Sequence, residues 1–116
     1  MEGFFTFGSP MVELGIEGRK TEMLLDTGFN GQIMLPQTII NDLDLEQIGI
    51  SDYLTASGDG TVARVYKGRL LFFDEERDVS IVSTEADFSL AGMELFQNCK
   101  IIIEKNRDIV EVQKSR

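Results

Sequence analysis

The sequence predicts an all-β fold, closed or nearly closed into a single barrel-like domain over residues 1–116, with one or two short helices. Apolar residues recur in short runs of strand length, several of them alternating with polar residues, and glycines separate the runs. Roughly eight such runs are present, and that number favours a closed β structure over a doubly wound α/β sheet.

The first elements form a hairpin. "MVELGI" (11–16) places its apolar side chains on one face, "EGRK" (17–20) supplies a turn, and "TEMLLD" (21–26) returns antiparallel. "QIMLP" (32–36) is a further short strand closed by a proline. Proline also suits the first position of a helix, and "QTIINDLDL" (37–45) carries apolar residues at helical spacing, so we expect one short helix there.

The middle of the chain predicts a long hairpin. Two strand-like arms within residues 52–73 flank "GDG" (58–60), which is a tight-turn signal. The charged segment "DEERD" (74–78) predicts a solvated turn before the strand "VSIVS" (79–83).

The last third predicts three short strands. "FSLAGMELF" (88–96) contains an apolar strand that breaks at Gly92 and is followed by a one-turn helix. "CKIIIE" (99–104) and "DIVEV" (108–112) are expected to pair across the turn at residues 105–107.

Composition excludes several classes of function. The net charge of −9 argues against binding to nucleic acid or to an anionic membrane surface. The absence of histidine excludes histidine triads and histidine metal sites, and we expect neither a metal nor a cofactor. Cys99 is the single cysteine and is expected to be an inert core thiol, which favours a reducing compartment, the cytoplasm. The sequence begins without a secretory signal and contains no run long enough for a membrane span.

Asp26 stands out because it follows three apolar residues, Met23, Leu24 and Leu25. An ionised carboxylate buried without partners costs several kcal/mol or more. Asp26 therefore either lies in an ordinary solvent-facing turn or belongs to a site that compensates its charge. The segment Asp26-Thr27-Gly28 is compatible with a plain turn, since Asp and Gly are common turn residues.

The order of three motifs resembles the retropepsin-like aspartic proteases, the single-lobed relatives of pepsin. Asp26-Thr27-Gly28 follows an apolar strand, a glycine-tipped hairpin comes next, and Leu90-Ala91-Gly92 opens the short helix "MELF". "LLDTGFNGQIMLP" is more similar to the small bacterial and archaeal members than to the viral enzymes. The resemblance covers most of the chain, from the first hairpin to the last strand.

The resemblance implies a role for each matching residue. Asp26 corresponds to the catalytic carboxylate, Thr27 and Gly28 to its supporting turn, and Gly92 to the glycine behind it. Residues 56–62 correspond to a flap over the substrate. The residues implied in substrate binding are Asn30, Ser57, Gly58, Asp59 and Gly60.

Asp26 needs a second carboxylate for this chemistry. Two carboxylates about 3 Å apart share one proton, so that one activates a water while the other protonates the substrate carbonyl. The chain has a single Asp-Thr-Gly, so the second carboxylate must come from a second copy across a two-fold axis. We therefore expect a homodimeric aspartic endopeptidase acting on peptides or proteins. The alternative is a non-catalytic β domain of the same fold that binds extended peptides or mediates dimerisation.

The chain departs from the viral pattern at two positions. Asn30 and Met93 stand where the viral enzymes have an acidic residue and an arginine that form an ion pair, and here both are neutral. Met93 and Phe96 are expected in the core. In the resembling enzymes the chain ends interleave between subunits, so "GFFTF" (3–7) and "DIVEV" (108–112) are candidate interface strands, and charged residues in place of Phe4 and Phe5 should weaken the dimer.

Overall fold

The computed structural model describes residues 1–54 and 60–115, and within that part the side chains of 52–54, 60 and 61 are not described. Described residues form a seven-residue helix, α1 (Gln37–Leu43), and two 3-10 turns (Met93–Phe96 and Lys105–Arg107). They also form ten strands, β1 (Phe4–Thr6), β2 (Ser9–Ile16), β3 (Arg19–Asp26), β4 (Ile33–Pro36), β5 (Glu46–Leu54), β6 (Gly60–Phe72), β7 (Glu75–Thr84), β8 (Leu90–Gly92), β9 (Cys99–Glu104) and β10 (Ile109–Lys114).

Six of these strands close into a barrel, which confirms the predicted fold class. The ladder runs β2-β3-β8-β4-β7-β6, and β6 returns to β2 where Ile16 lies opposite Leu70. β1 and β5 extend this sheet beyond β2 and β6, and β9 pairs with β10 in a separate two-stranded sheet. No helix among residues 1–54 and 60–115 is long and apolar enough to cross a membrane.

Alternation along the strands builds the core. Val12, Leu14 and Ile16 point inward from β2, and Met23 and Leu25 point inward from β3. Burying such side chains contributes roughly 1.5–3 kcal/mol each. The short strand β4 is buried along its whole length, as is β8, because each lies between two neighbouring strands and is covered on both faces.

The predicted turn at 74–78 is wrong. The turn is formed by Phe73 and Asp74, which both have positive φ angles (51° and 62°), and β7 begins at Glu75. The charges are accommodated on the solvent face of the β6–β7 ladder, where Arg69 contacts Glu76 at 2.9 Å. Strand β5, the first arm of the predicted hairpin, starts at Glu46, whereas the hairpin was predicted to begin at residue 52. The other predicted elements are present within a few residues of their expected bounds.

The Ile81→Ala variant tests whether burial of side chains in the barrel interior stabilises the fold. The Ile81 side chain is fully buried on β7, between β4 and β6. We expect Ile81→Ala to lower the free energy of unfolding by about 2–5 kcal/mol, because the truncation leaves a cavity. Ser80→Ala is the matched control, since the Ser80 side chain is exposed on the same strand, and it should change stability by less than about 0.5 kcal/mol. Urea titration followed by circular dichroism measures both, and equal losses would contradict this description of the core.

Candidate active site

Asp26 is the last residue of β3 and lies at the point where the barrel strand gives way to a loop. Its neighbour Leu25 is buried, and Asp26 itself is half-buried. β8 pairs with β3 in parallel, so that Asp26 lies opposite Gly92. The apolar strand therefore ends with a carboxylate at the barrel surface, and within one chain solvent reaches it.

A tight turn holds the Asp26 carboxylate. The Gly28 N–H donates to Asp26 Oδ1 at 2.9 Å, and the Phe29 N–H donates to the Asp26 carbonyl at 3.3 Å. A hydrogen bond to an ionised acceptor is stronger than a neutral one, and this one fixes the orientation of the side chain. Thr27 and Gly28 are both exposed at the tip of the turn. The turn thus presents one oriented carboxylate to the outside of the subunit.

The loop after Asp26 is tied to the end of β8 by backbone hydrogen bonds. The Gly92 N–H donates to the Gln32 carbonyl and the Met93 N–H to the Phe29 carbonyl, both at 2.8 Å. The Glu94 N–H donates to the Gly31 carbonyl at 3.3 Å. The loop connects β3 to β4, and β8 lies between these two strands. The three hydrogen bonds therefore hold the loop against the end of β8. The Asp26 turn is therefore held from two sides.

Gly92 is required by this close approach. It is buried, and a Cβ there would collide with the carbonyl oxygens of Gly31 and Phe29 and with the Phe29 ring. Its φ angle of −100° is open to any residue, so the requirement is one of space and not of backbone conformation. A Cβ at Gly31 would likewise meet the Phe29 ring at 2.6 Å. The two glycines allow the loop to pack directly on β8.

The structure brings together four of the residues that the sequence marked for the site. Asp26, Thr27, Gly28 and Gly92 meet at one end of the barrel. Asn30 is exposed in the same loop. Ser57, Gly58 and Asp59, and with them most of the predicted flap, lie outside the described residues. Gly60, which was predicted to lie in the turn between the hairpin arms, instead begins β6 and pairs with Leu54 of β5.

Two residues of the site were missed from the sequence, and one expectation was wrong. Phe29 fills the space between Gly31 and Gly92, and the one signal for it is a lone aromatic residue between glycines. Gln32 accepts the Gly92 N–H through its carbonyl and the Ser80 N–H through Oε1. Met93 was expected in the core but is 37% exposed, because it follows the point where β8 leaves the barrel; Phe96 is buried as expected.

Cys99 lines a cavity of about 350 Å³, together with Arg77 and Lys114. Burial raises the pKa of the Cys99 thiol, and the neighbouring cations, Arg77, Lys114 and the amino terminus, lower it only in part. Since the thiolate is the nucleophilic form, a raised pKa leaves Cys99 protonated and weakly reactive at neutral pH. This supports the expectation of an inert thiol.

Solved structures that are similar to this one include three proteases. A retropepsin-like aspartic protease from Rickettsia conorii matches with a TM-score of 0.73 and 16% identity, over 99% of this chain and 90% of that one. EIAV protease, in complex with the inhibitor HBY-793, matches with a TM-score of 0.66 and 15% identity, over 82% of this chain and 93% of that one.

The Simian Foamy Virus (mac) protease matches with a TM-score of 0.55 and 18% identity, over 71% of this chain and 86% of that one. No protein-family model and no curated protein sequence matches the chain. At these identities the likeness establishes the fold, and the chain has a retropepsin-like fold.

Gly92 provides the direct test of the site's construction. We expect Gly92→Ala to lower the free energy of unfolding by about 1–3 kcal/mol or more, because the new methyl group meets backbone oxygens that cannot move independently. The matched control is Gly49→Ala on β5, where a Cβ meets nothing within 4 Å. Thermal and urea unfolding measure both variants. If Gly92→Ala were as stable as Gly49→Ala, the proposed close packing at the site would be wrong.

Proposed function

We propose that this protein is a homodimeric aspartic endopeptidase that hydrolyses peptide bonds with a water activated by two Asp26 carboxylates, one from each subunit. The observation that carries the proposal is the Asp26 carboxylate, oriented by the Gly28 N–H and placed beside Gly92 at the end of an apolar strand. The retropepsin-like fold supports it, as do the names of the three similar structures given above, each of which is a protease. We further propose one domain over residues 1–116 and a cytoplasmic location.

The chemistry requires the two carboxylates to be in different protonation states. Paired at about 3 Å, they hold one proton between them, because two negative charges at that distance repel strongly. The ionised group takes a proton from water as the water oxygen attacks the carbonyl carbon. The protonated group gives its proton to the carbonyl oxygen, which yields a tetrahedral diol. Collapse of the diol breaks the C–N bond: the leaving nitrogen takes the proton of the protonated carboxyl, and the ionised carboxylate takes a proton from one diol hydroxyl as the carbonyl re-forms, so that the pair again holds one proton.

The proposal gives a role to each of the neighbouring residues. The Gly28 N–H occupies one lone pair of Asp26 Oδ1 and fixes the carboxylate plane, leaving Oδ2 for the water or the partner. Thr27 is proposed to hydrogen-bond through its hydroxyl across the two-fold axis, and its exposure at the tip of the turn supports this role. Asn30 and the segment Ser57, Gly58, Asp59 and Gly60 are proposed to contact the peptide. The viral ion pair is absent, because the residues at its two positions, Asn30 and Met93, are neutral.

A non-catalytic peptide-binding domain is the second candidate. It is favoured by the fact that one chain presents a single Asp-Thr-Gly turn, so that a subunit by itself lacks the second carboxylate. In that case the groove would bind extended peptides, and Asp26 would be a structural turn residue. Fold alone does not decide between the two functions.

The Asp26→Asn variant distinguishes the endopeptidase from the non-catalytic binding domain. We expect the variant to fold normally and to lose peptide cleavage by about 10³-fold, because the amide can neither accept a proton from water nor share one with its mate. Cleavage is measured on a denatured protein and on a peptide library, with circular dichroism as the check on folding. Asp42→Asn, at an exposed position of α1, is the matched control and should cleave like the wild type.

Two results would contradict the protease. Wild-type rates from Asp26→Asn would show that Asp26 does not carry the reaction. Binding of the same peptides by wild-type and variant protein, with no cleavage by either, would instead establish the binding domain.

A further inference from the structure

The two ends of the chain form their own small sheet. β9 pairs with β10, and residues 1–3 lie along the other edge of β10. There the Gly3 N–H donates to the Val110 carbonyl and the Val112 N–H to the Met1 carbonyl, both at 2.8 Å. The Met1 amino group also contacts the Glu111 carboxylate at 3.3 Å. Both edges of β10 are therefore occupied by segments of its own chain.

One edge of β9 has no partner strand within the described part of the chain. Since the backbone groups of Val110 and Val112 face residues 1–3, the alternation of an antiparallel ladder makes Glu111 the residue that exchanges hydrogen bonds with Ile102 of β9. The Ser115 N–H donates to the Asn98 carbonyl at 2.8 Å and continues the same alternation.

The intervening residues of β9, Ile101 and Ile103, thus direct their N–H and C=O groups away from β10. Within the described part of the chain β9 pairs with no strand other than β10. Such an edge is a template for pairing with another chain.

The sequence of this edge is complementary to itself. β9 contains Lys100-Ile101-Ile102-Ile103-Glu104. When two copies pair antiparallel about Ile102, Lys100 lies opposite the partner's Glu104, and Ile101 lies opposite the partner's Ile103. A shift of two residues in either direction removes both charge pairs. The same register also places the outward-facing groups of Ile101 and Ile103 opposite one another, so charge and backbone geometry select one arrangement.

The side chains at this edge are available for such pairing. Ile103 is 42% exposed, and Lys100 is exposed and forms no ion pair with residues 1–54 or 60–115. Glu104 contacts Arg107 at 3.6 Å in a solvent-exposed pair, which is of little energetic value and can be exchanged.

We infer that β9 is the dimer strand: it pairs antiparallel with β9 of a second copy, with Ile102 on the two-fold axis. This inference rests on the proposed function, for which it supplies the contact that brings the second Asp26. The link is short, because six residues (93–98), which include the 3-10 turn Met93–Phe96, join Gly92 to β9, and Gly92 is the residue paired with Asp26. Interleaved chain ends, as expected from the sequence, would require residues 1–3 to leave β10. Because the free edge of β9 is complementary to itself in charge and register, the partner is a second copy of this chain.

Charge reversal tests the register. Because the interface is symmetric, Lys100→Glu places two like-charge pairs across it, and so does Glu104→Lys. We expect each variant to raise the dimer dissociation constant by about tenfold, measured by sedimentation equilibrium at low salt. The double variant Lys100→Glu/Glu104→Lys should restore the wild-type value. An equimolar mixture of the two single variants should also dimerise like the wild type, since unlike subunits regain both pairs.

Controls and outcomes are matched to this design. Lys20→Glu and Glu22→Lys make the same changes at exposed positions of β3 and should leave the dissociation constant unchanged. Single variants that dimerise like the wild type would overturn the inference. So would single variants that the double variant and the mixture fail to restore, and so would a wild type that stays monomeric at all concentrations.

The same proteins separate this inference from the proposed function. A wild type that cleaves peptides through Asp26, with a dimer indifferent to Lys100 and Glu104, would retain the protease and reject β9 as its interface. A dimer that follows the charge-swap pattern while no peptide is cleaved would retain the interface and reject the protease. Phe4 and Phe5 are less suitable probes, because both are half-buried within the subunit and Phe5 packs on the core.

Discussion

Strand β8 lies between β3 and β4, and at its end Gly92 packs directly against the carbonyl oxygens of Phe29 and Gly31. This contact leaves no room for a side chain, and it fixes the loop that begins at Asp26. The β3–β8 pairing places Asp26 opposite Gly92. The hydrogen bonds from residues 92–94 hold its loop, and the Gly28 N–H orients its carboxylate. The position of the candidate catalytic group is thus a consequence of how tightly three short strands pack.

In the proposed mechanism a single subunit supplies one of the two carboxylates that the reaction needs. Asp26 is half-buried and reachable by solvent within one chain. Acid and base roles at the same centre need a second carboxylate close enough to share a proton. Symmetry provides it at no cost in sequence, provided that the subunits associate in a defined register. We propose that β9, with three isoleucines between Lys100 and Glu104, specifies such a register.

The sequence predicted the barrel, the first hairpin and the Asp26 turn because their patterns are local. Alternation in β2 and β3 and the glycines around Asp26 identify short-range structure directly. Prediction from the sequence failed where tertiary pairing overrides local preference. Glu75–Asp78 form a strand because β6 offers a ladder with Arg69 facing them, and no property of "DEERD" itself indicates that. Met93 and Gln32 were misjudged or missed because their environment depends on β8 running between β3 and β4, which no pattern of adjacent residues encodes.

The central claim is that each active site contains one Asp26 from each of two chains. Mixing wild-type protein with Asp26→Asn protein, at constant total concentration and after full subunit exchange, tests it most directly. If both carboxylates are needed, peptide cleavage falls as the square of the wild-type fraction, so that a half-and-half mixture retains about a quarter of the activity. A linear fall, with half the activity at the same mixture, would show that each chain works alone and would contradict the shared-proton mechanism.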